Sequence, residues 1–270
     1  METEKINEID EVEEKKRKRD SKMEWKKWYL DVILVPLALV MMLCYHIYLS
    51  FMVRTQPFST VLGINSRGRR LWISAMIKEN QKMNILTVQT LRNIVMGATL
   101  MATTCILLCA GLAAVISSTY SIKKPLNDAV YGAHGDIAIA VKYLTILTIF
   151  IFSFFSHSLS IRFLNQVAML VNIPNLHPNP SGDLFLTSEY VSELFDKGFF
   201  LSTVGNRLFY AGFSLMLWIF GPILVFLSVL VMMLTLYHVD FVSLGNNKEK
   251  QRIVDCPRAS ETPNGGGDDA

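Results

Sequence analysis

The sequence predicts an all-α integral membrane bundle of four transmembrane helices, with additional amphipathic, interfacial helices in the first and third connections. Three observations carry this. Half of the 270 residues are apolar (51%), and mean hydropathy is +0.33. Only 18% are charged, against about a quarter in a soluble domain. The charge is also gathered at the ends: nine of the 23 acidic and seven of the 26 basic residues precede residue 25. What remains is four runs nearly bare of charge, each long enough for the ~20 residues a bilayer core demands.

Taken in order, residues 1–27 form a charged tail, acidic first and then basic, with KKRKR at Lys15–Arg19. Glu11/Lys15, Glu13/Arg17 and Glu14/Lys18 stand at i,i+4 with the acid first, which supports a solvated helix. Without an apolar face the segment has nothing to bury, so a frayed helix or disorder is expected, its basic cluster near anionic headgroups. The membrane domain covers 28–242, with spans at about 28–49, 94–116, 143–167 and 208–237. Trp25, Trp28, Tyr29, Tyr45 and Tyr48 read as interfacial anchors of the first span. Its apolar core is too long for a cleaved signal peptide and no small-residue site follows.

The connection 50–93 holds seven basic residues and one acidic one. Asn65 or Ser66 is expected to cap a helix from Arg67, with Trp72, Met76, Met83, Leu86 and Leu91 on its apolar side. Arg69, Arg70, Lys78, Lys82 and Arg92 are the candidate contacts to lipid headgroups or a partner; packing on other loops is the plainer alternative. The second span carries small pairs Ala98/Ala102, Cys105/Cys109 and Ala110/Ala114, which suit close helix packing more than a pore wall. In the connection 171–202, Pro174, Pro178, Pro180 and Gly182 forbid regular structure over Asn172–Asp183. A short surface helix capped by Thr187 then carries Tyr190, Val191, Leu194, Phe195 and Phe199. The last span should kink at Gly221-Pro222, and 243–270 is a polar tail expected to be disordered.

Four spans place both termini on one side. Sixteen basic residues fall on that side and ten on the other, so both termini are expected in the cytosol, although the basic 50–93 connection opposes this.

The search for chemistry excludes more than it finds. No phosphate loop, HExxH, GxSxG or His/Cys cluster at ligand spacing occurs, so no enzyme activity, metal or cofactor is expected. Of the four cysteines, Cys44, Cys105 and Cys109 lie within apolar spans and read as packing residues. A net charge of +3 beside apolar spans points to anionic lipid and not to nucleic acid. A homo-oligomer or other membrane proteins are the remaining partner classes.

Asp31, His46 and Arg207 are read as span-end residues that snorkel. The third span is different. His157 falls ~21 Å along a helix from Tyr143, deep in a ~30 Å core. Ser153, His157 and Ser160 share a face, and Arg162, Asn165 and Gln166 form a neighbouring polar patch. A charge at the bilayer centre costs ~3 kcal/mol, so Arg162 is expected to reach a headgroup or an acid such as Asp31 or Asp240. His157, Arg162, Asn165 and Gln166 therefore make the candidate intramembrane patch. A satisfied interhelical network leads over a binding site for an ion, a proton or a headgroup.

Three stretches resemble a known family: VRTQPFSTVLGINSRGRRLW with KENQKMNILTVQTLRNIVMGATLMATT, SIRFLNQVAMLVNIP, and TVGNRLFYAGFSLMLWIFGPILVF. The chain resembles the plant branch of the membrane-protein family called domain of unknown function 599 over roughly Tyr29–Val242. The resemblance implies a multi-pass helical membrane protein and a plant source. It makes Asn65, Arg69, Arg70, Gln89, Arg92, Asn93, Arg162, Asn165, Gln166, Asn206 and Arg207 look like parts of the family pattern, without an activity to carry over. The functional expectation is a non-enzymatic membrane protein acting through helix packing, lipid or protein contacts. A small transporter or channel subunit using the third-span patch comes second, and a membrane-embedded enzyme third.

Overall fold

The computed structural model describes residues 29, 31–78, 80–121, 136–172 and 188–242. The two tails, Trp25, Trp28 and the cap expected at Thr187 lie outside the described residues. The described chain is helical: α1 (Asp31–Thr55), α2 (Val61–Lys78), α3 (Asn80–Ser121), α4 (Asp136–Leu170), α5 (Ser188–Met216) and α6 (Pro222–Asp240). Four stretches are long and apolar enough to cross a membrane: Asp31–Thr55, Ile85–Ser118, Ile139–Leu170 and Pro222–Asp240. The all-α bundle with four membrane-length helices is what the composition calls for.

The last apolar run departs from expectation. Leu208–Tyr237 is not one kinked span. Helix α5 ends at Met216, Leu217–Ile219 form a 3-10 turn, and α6 starts at Pro222. Pro222 lacks an N–H and crowds the residue before it out of helical conformation. Gly221 accordingly takes φ 158° and ψ 156°, a region that glycine alone enters without strain. The chain turns back there, and Ser214 of α5 meets Met232 of α6 at 3.5 Å. The short surface helix expected near 187–199 is simply the first half of α5.

Side-chain pairs give each helix a direction. Leu112 clusters with Ile146, Cys105 meets Ser153 and Leu91 clusters with Leu164, while Ser153 and Ser160 meet Gly205 and Gly198, so α3 and α5 both run opposite to α4. At one end of the bundle Asp31 of α1 touches Lys142 of α4 and Trp218, just before α6. Toward the other end Tyr45 of α1 meets Asp240, the last residue of α6. Helices α1, α4 and α6 therefore run one way, and α3 and α5 the other. The two ends of the described bundle lie opposite each other, whereas an even number of passes would bring them together.

The α1–α2 connection is tightly built. Thr60, not Asn65 or Ser66, receives the backbone N–H of Gly63 on its hydroxyl at 3.3 Å and so caps α2. A Cβ at Gly63 would stand 2.3 Å from the Pro57 carbonyl oxygen, so that close crossing requires glycine. Val242 donates its N–H to Ser59 O at 3.2 Å, tying the end of α6 to the same connection. Helix α2 then lies on α5 through Ile73, Val191 and Phe195, with Trp72 stacked on Phe195.

Lys142 and Asp31, 6% and 5% exposed, test this arrangement. Lys142→Ala should cost roughly 3 kcal/mol by leaving Asp31 buried without its cation. Replacing both by leucine should recover most of that loss. Thermal unfolding of the single and double variants in detergent reads the difference, and an undiminished midpoint for Lys142→Ala would mean that the pair is not buried in solution.

Candidate functional site

A buried seam with polar members runs between α4 and α5. Ile146, Phe150, Ser153, His157, Ser160, Leu164, Val167 and Val171 are all exposed by 2% or less. Their spacing alternates four and three, the heptad rhythm of a coiled-coil seam. Facing them, α5 presents Gly198, Gly205 and Gly212 at seven-residue intervals. A Cβ at these positions would come within 3.1 Å of Leu164, 2.7 Å of His157 and 3.1 Å of Phe150 respectively. Leu164, His157 and Phe150 of α4 are thus each seated on a glycine of α5.

Hydroxyls bridge the same seam. Ser153 Oγ donates to the Gly205 carbonyl at 2.8 Å, and Ser160 Oγ to the Gly198 carbonyl at 2.7 Å. Cys105 Sγ of α3 donates to Ser153 Oγ at 3.3 Å, so three helices share one chain of donors. His157 stands between the serines and is fully buried, yet neither ring nitrogen meets a hydrogen-bond partner among the described residues. The expected satisfied network is present in the serines and Cys105, and His157 is not part of it.

Arg162, Asn165 and Gln166 do not join His157. All three are exposed, on the side of α4 away from the glycines. Neither Asp31 nor Asp240 is the partner of Arg162, because each has another. Lys142 Nζ sits 2.8 Å from Asp31 Oδ2, and Trp218 Nε1 donates to Asp31 Oδ1 at 3.2 Å. Arg207 pairs with Asp240, which also accepts the Tyr45 hydroxyl at 2.6 Å. Asp31 and Arg207 are therefore interior ion-pair members and not snorkelling span ends, and Tyr45, 8% exposed, is no interfacial anchor. Tyr48 is exposed as expected, and His46 is half-buried.

The basic residues of the first connection divide. Arg69 and Arg70 both engage Asp196 of α5, which also accepts the Ser66 hydroxyl at 3.2 Å. Burial pulls the Arg69 guanidinium below its ordinary value, Asp196 opposes that, and the Phe199 ring lies 4.4 Å from it. Lys78 and Lys82 have side chains outside the described residues. Arg92 is exposed on α3. With Gln89 and Asn93 it borders a shallow groove of about 570 Å³ whose other described walls are Ile85, Val88 and Met96. Leu91 packs with Leu164 and Val167, so the Arg92 group and the Arg162 group lie at nearly the same level of the bundle.

A bundle of membrane-length helices, with paired charges inside and, on its outer surface, arginines without an ion pair among the described residues, is a multi-pass helical membrane protein. It belongs to the family described as "Protein of unknown function, DUF599", whose model matches residues 33–244. No curated protein and no solved structure matches the chain. Among the described residues no group of His, Cys, Asp and Glu could hold a metal ion.

Residue by residue, sequence reasoning found the Ser153–His157–Ser160 face and missed its counterpart. The signal was there: three glycines exactly a heptad apart, opposite a heptad of bulky residues. Gly205→Ala should destabilise the protein by more than ~1 kcal/mol, because the methyl group would meet the His157 ring. His157→Ala in the same chain should restore part of that, a coupling that a double-mutant cycle measures. Additive losses would show that the ring does not rest on Gly205.

Proposed function

We propose that the chain is a non-enzymatic membrane protein that works through an outward-facing basic and amide belt binding anionic lipid headgroups. The observation that carries this reading is the contrast between inner and outer charges. Asp31, Lys142, Arg207 and Asp240 are paired inside the bundle. Arg92 and Arg162 face outward without an ion pair among the described residues, each beside two amides: Gln89 and Asn93, or Asn165 and Gln166. An arginine with neighbouring amides offers a phosphate several donors at once, and the apolar groove floor beside Arg92 suits an acyl chain. Each cation near an anionic surface contributes about 1 kcal/mol, or roughly a fivefold change in occupancy.

The full chain in nanodiscs of phosphatidylcholine with a minor share of phosphatidylglycerol tests this by counting lipids retained on extraction. Wild type should retain the anionic lipid preferentially, less so at high salt. Arg92→Ala with Arg162→Ala should lower retention at least fivefold while leaving the unfolding midpoint within a few degrees. Equal retention by wild type and variant would refute the reading.

A second reading, a small transporter or channel subunit, has one observation in its favour: His157, at mid-depth of α4, has no hydrogen-bond partner among the described residues. The close seating of its ring on Gly205 weighs against it. Solute or proton flux in liposomes that falls with His157→Ala would favour transport over the lipid-contact reading.

A further inference from the structure

We infer that α5 is a fifth membrane crossing, so that the N-terminal segment lies on one face of the membrane and the C-terminal tail, α2 and the arginine belt lie on the other. The first ground is direction. Helices α1 and α6 are parallel, since Asp31 and Trp218 meet at one end, and Tyr45 and Asp240 meet toward the other. Parallel first and last crossings require an odd number of passes. Four membrane-length helices supply an even number, and among the described residues α5 is the one remaining element that runs through the bundle.

The second ground is length. From Lys197 to Trp218, α5 and its terminal turn rise about 31 Å at ~1.5 Å per residue, and α4 rises about 30 Å from Lys142 to Arg162. Both match a hydrocarbon core of ~30 Å. Lys142 and Trp218 are in contact at one boundary. At the other, Phe163, beside Arg162, shares a groove with Lys197 and Arg70. The two helices therefore start and stop at common levels.

The third ground is chemistry. Helix α5 falls short of the apolar standard because it carries Ser202, Thr203, Asn206 and Arg207. A lone arginine at that depth is expensive in a membrane, but Arg207 has the buried Asp240 carboxylate as its counter-ion. Thr203 donates to the Phe199 carbonyl at 2.9 Å within its own helix. Toward lipid, α5 turns Phe200 and Phe213, 67% and 58% exposed. Its glycine face is in the seam and its aromatic face is outside, as a packed membrane helix requires.

The crossing also accounts for the awkward basic connection. With five passes, and leaving aside the interior Lys142 and Arg207, the α2 face holds thirteen basic residues and the N-terminal face eleven. Connection 50–93 then shares its side with the tail carrying Lys248, Lys250, Arg252 and Arg258, and each leaflet meets a basic surface of the chain.

The test uses the full chain with different epitope tags at its two ends, in sealed membrane vesicles treated with protease. One tag should be cleaved and the other protected, with the pattern reversed in inverted vesicles. As a second measurement, Phe220→Cys, at an exposed turn position, should react with a membrane-impermeant maleimide on the side of the N-terminal tag. Native Cys256 should react on the side of the C-terminal tag. Both tags cleaved together, or Phe220→Cys reacting on the Cys256 side, would overturn the inference. Neither outcome depends on lipid retention, so this topology and the proposed lipid contact succeed or fail separately.

Discussion

The close approach of α4 and α5 is the constraint on which the rest of the bundle depends. Lipid chains are as apolar as leucine, so two membrane helices gain little from hiding apolar surface against each other. They gain from van der Waals contact, which falls away steeply with a gap of even 1 Å. Gly198, Gly205 and Gly212 remove the atoms that would hold the backbones apart. Only then can Ser153 and Ser160 reach the α5 carbonyls at 2.8 and 2.7 Å. Packing and hydrogen bonding are here one event: a methyl group on Gly205 would disturb both.

That seam fixes the position of the neighbours. Ser153 receives Cys105 and so holds α3, while Asp196 near the start of α5 holds Ser66, Arg69 and Arg70 of α2. The two interior ion pairs complete the frame by placing α1 and α6. A buried pair contributes little net stability compared with an apolar pair, since desolvation offsets most of the Coulomb attraction, but losing one partner is costly. Asp31–Lys142 and Arg207–Asp240 therefore specify more than they stabilise. An arrangement with α1 reversed would leave Asp31 and Lys142 buried without each other, and one with α6 reversed would do the same to Arg207 and Asp240.

Much of the fold is readable from hydropathy because a bilayer filters on it so strongly. Helix α5 is not, and the reason is physical. Its Arg207 is paired with Asp240, which is remote in sequence, and a windowed hydropathy counts the cost of the arginine without the carboxylate that offsets it. The pairing of Asp31 with Lys142 is hidden for the same reason. The splitting of the third-span patch, by contrast, was within reach. At about 100° per residue, Arg162 stands some 140° around the helix from His157, so the two were never able to share a face. Ser153, His157 and Ser160 do share one, and all three are buried in the seam. The glycine ladder was equally open to counting, but its meaning depends on knowing which helix lies opposite.

His157 remains the one seam position whose polarity has no use in the packing. Leaving a neutral polar group buried without a partner costs ~1–3 kcal/mol. Serines one turn to either side already donate to the Gly205 and Gly198 carbonyls. What Gly205 meets at His157 is the flat edge of a ring, with Nε2, Cδ2 and Cε1 all within 3.0 Å of its missing Cβ. Phe150 presents a ring edge to Gly212 in the same way. The repetition of ring on glycine argues that shape governs this position. On that argument an aromatic hydrocarbon ring in place of the imidazole would keep the contact and remove the unsatisfied nitrogens, so His157→Phe should unfold at the same temperature as wild type or higher. A clear loss of stability would instead assign the imidazole nitrogens a partner that the seam itself does not contain.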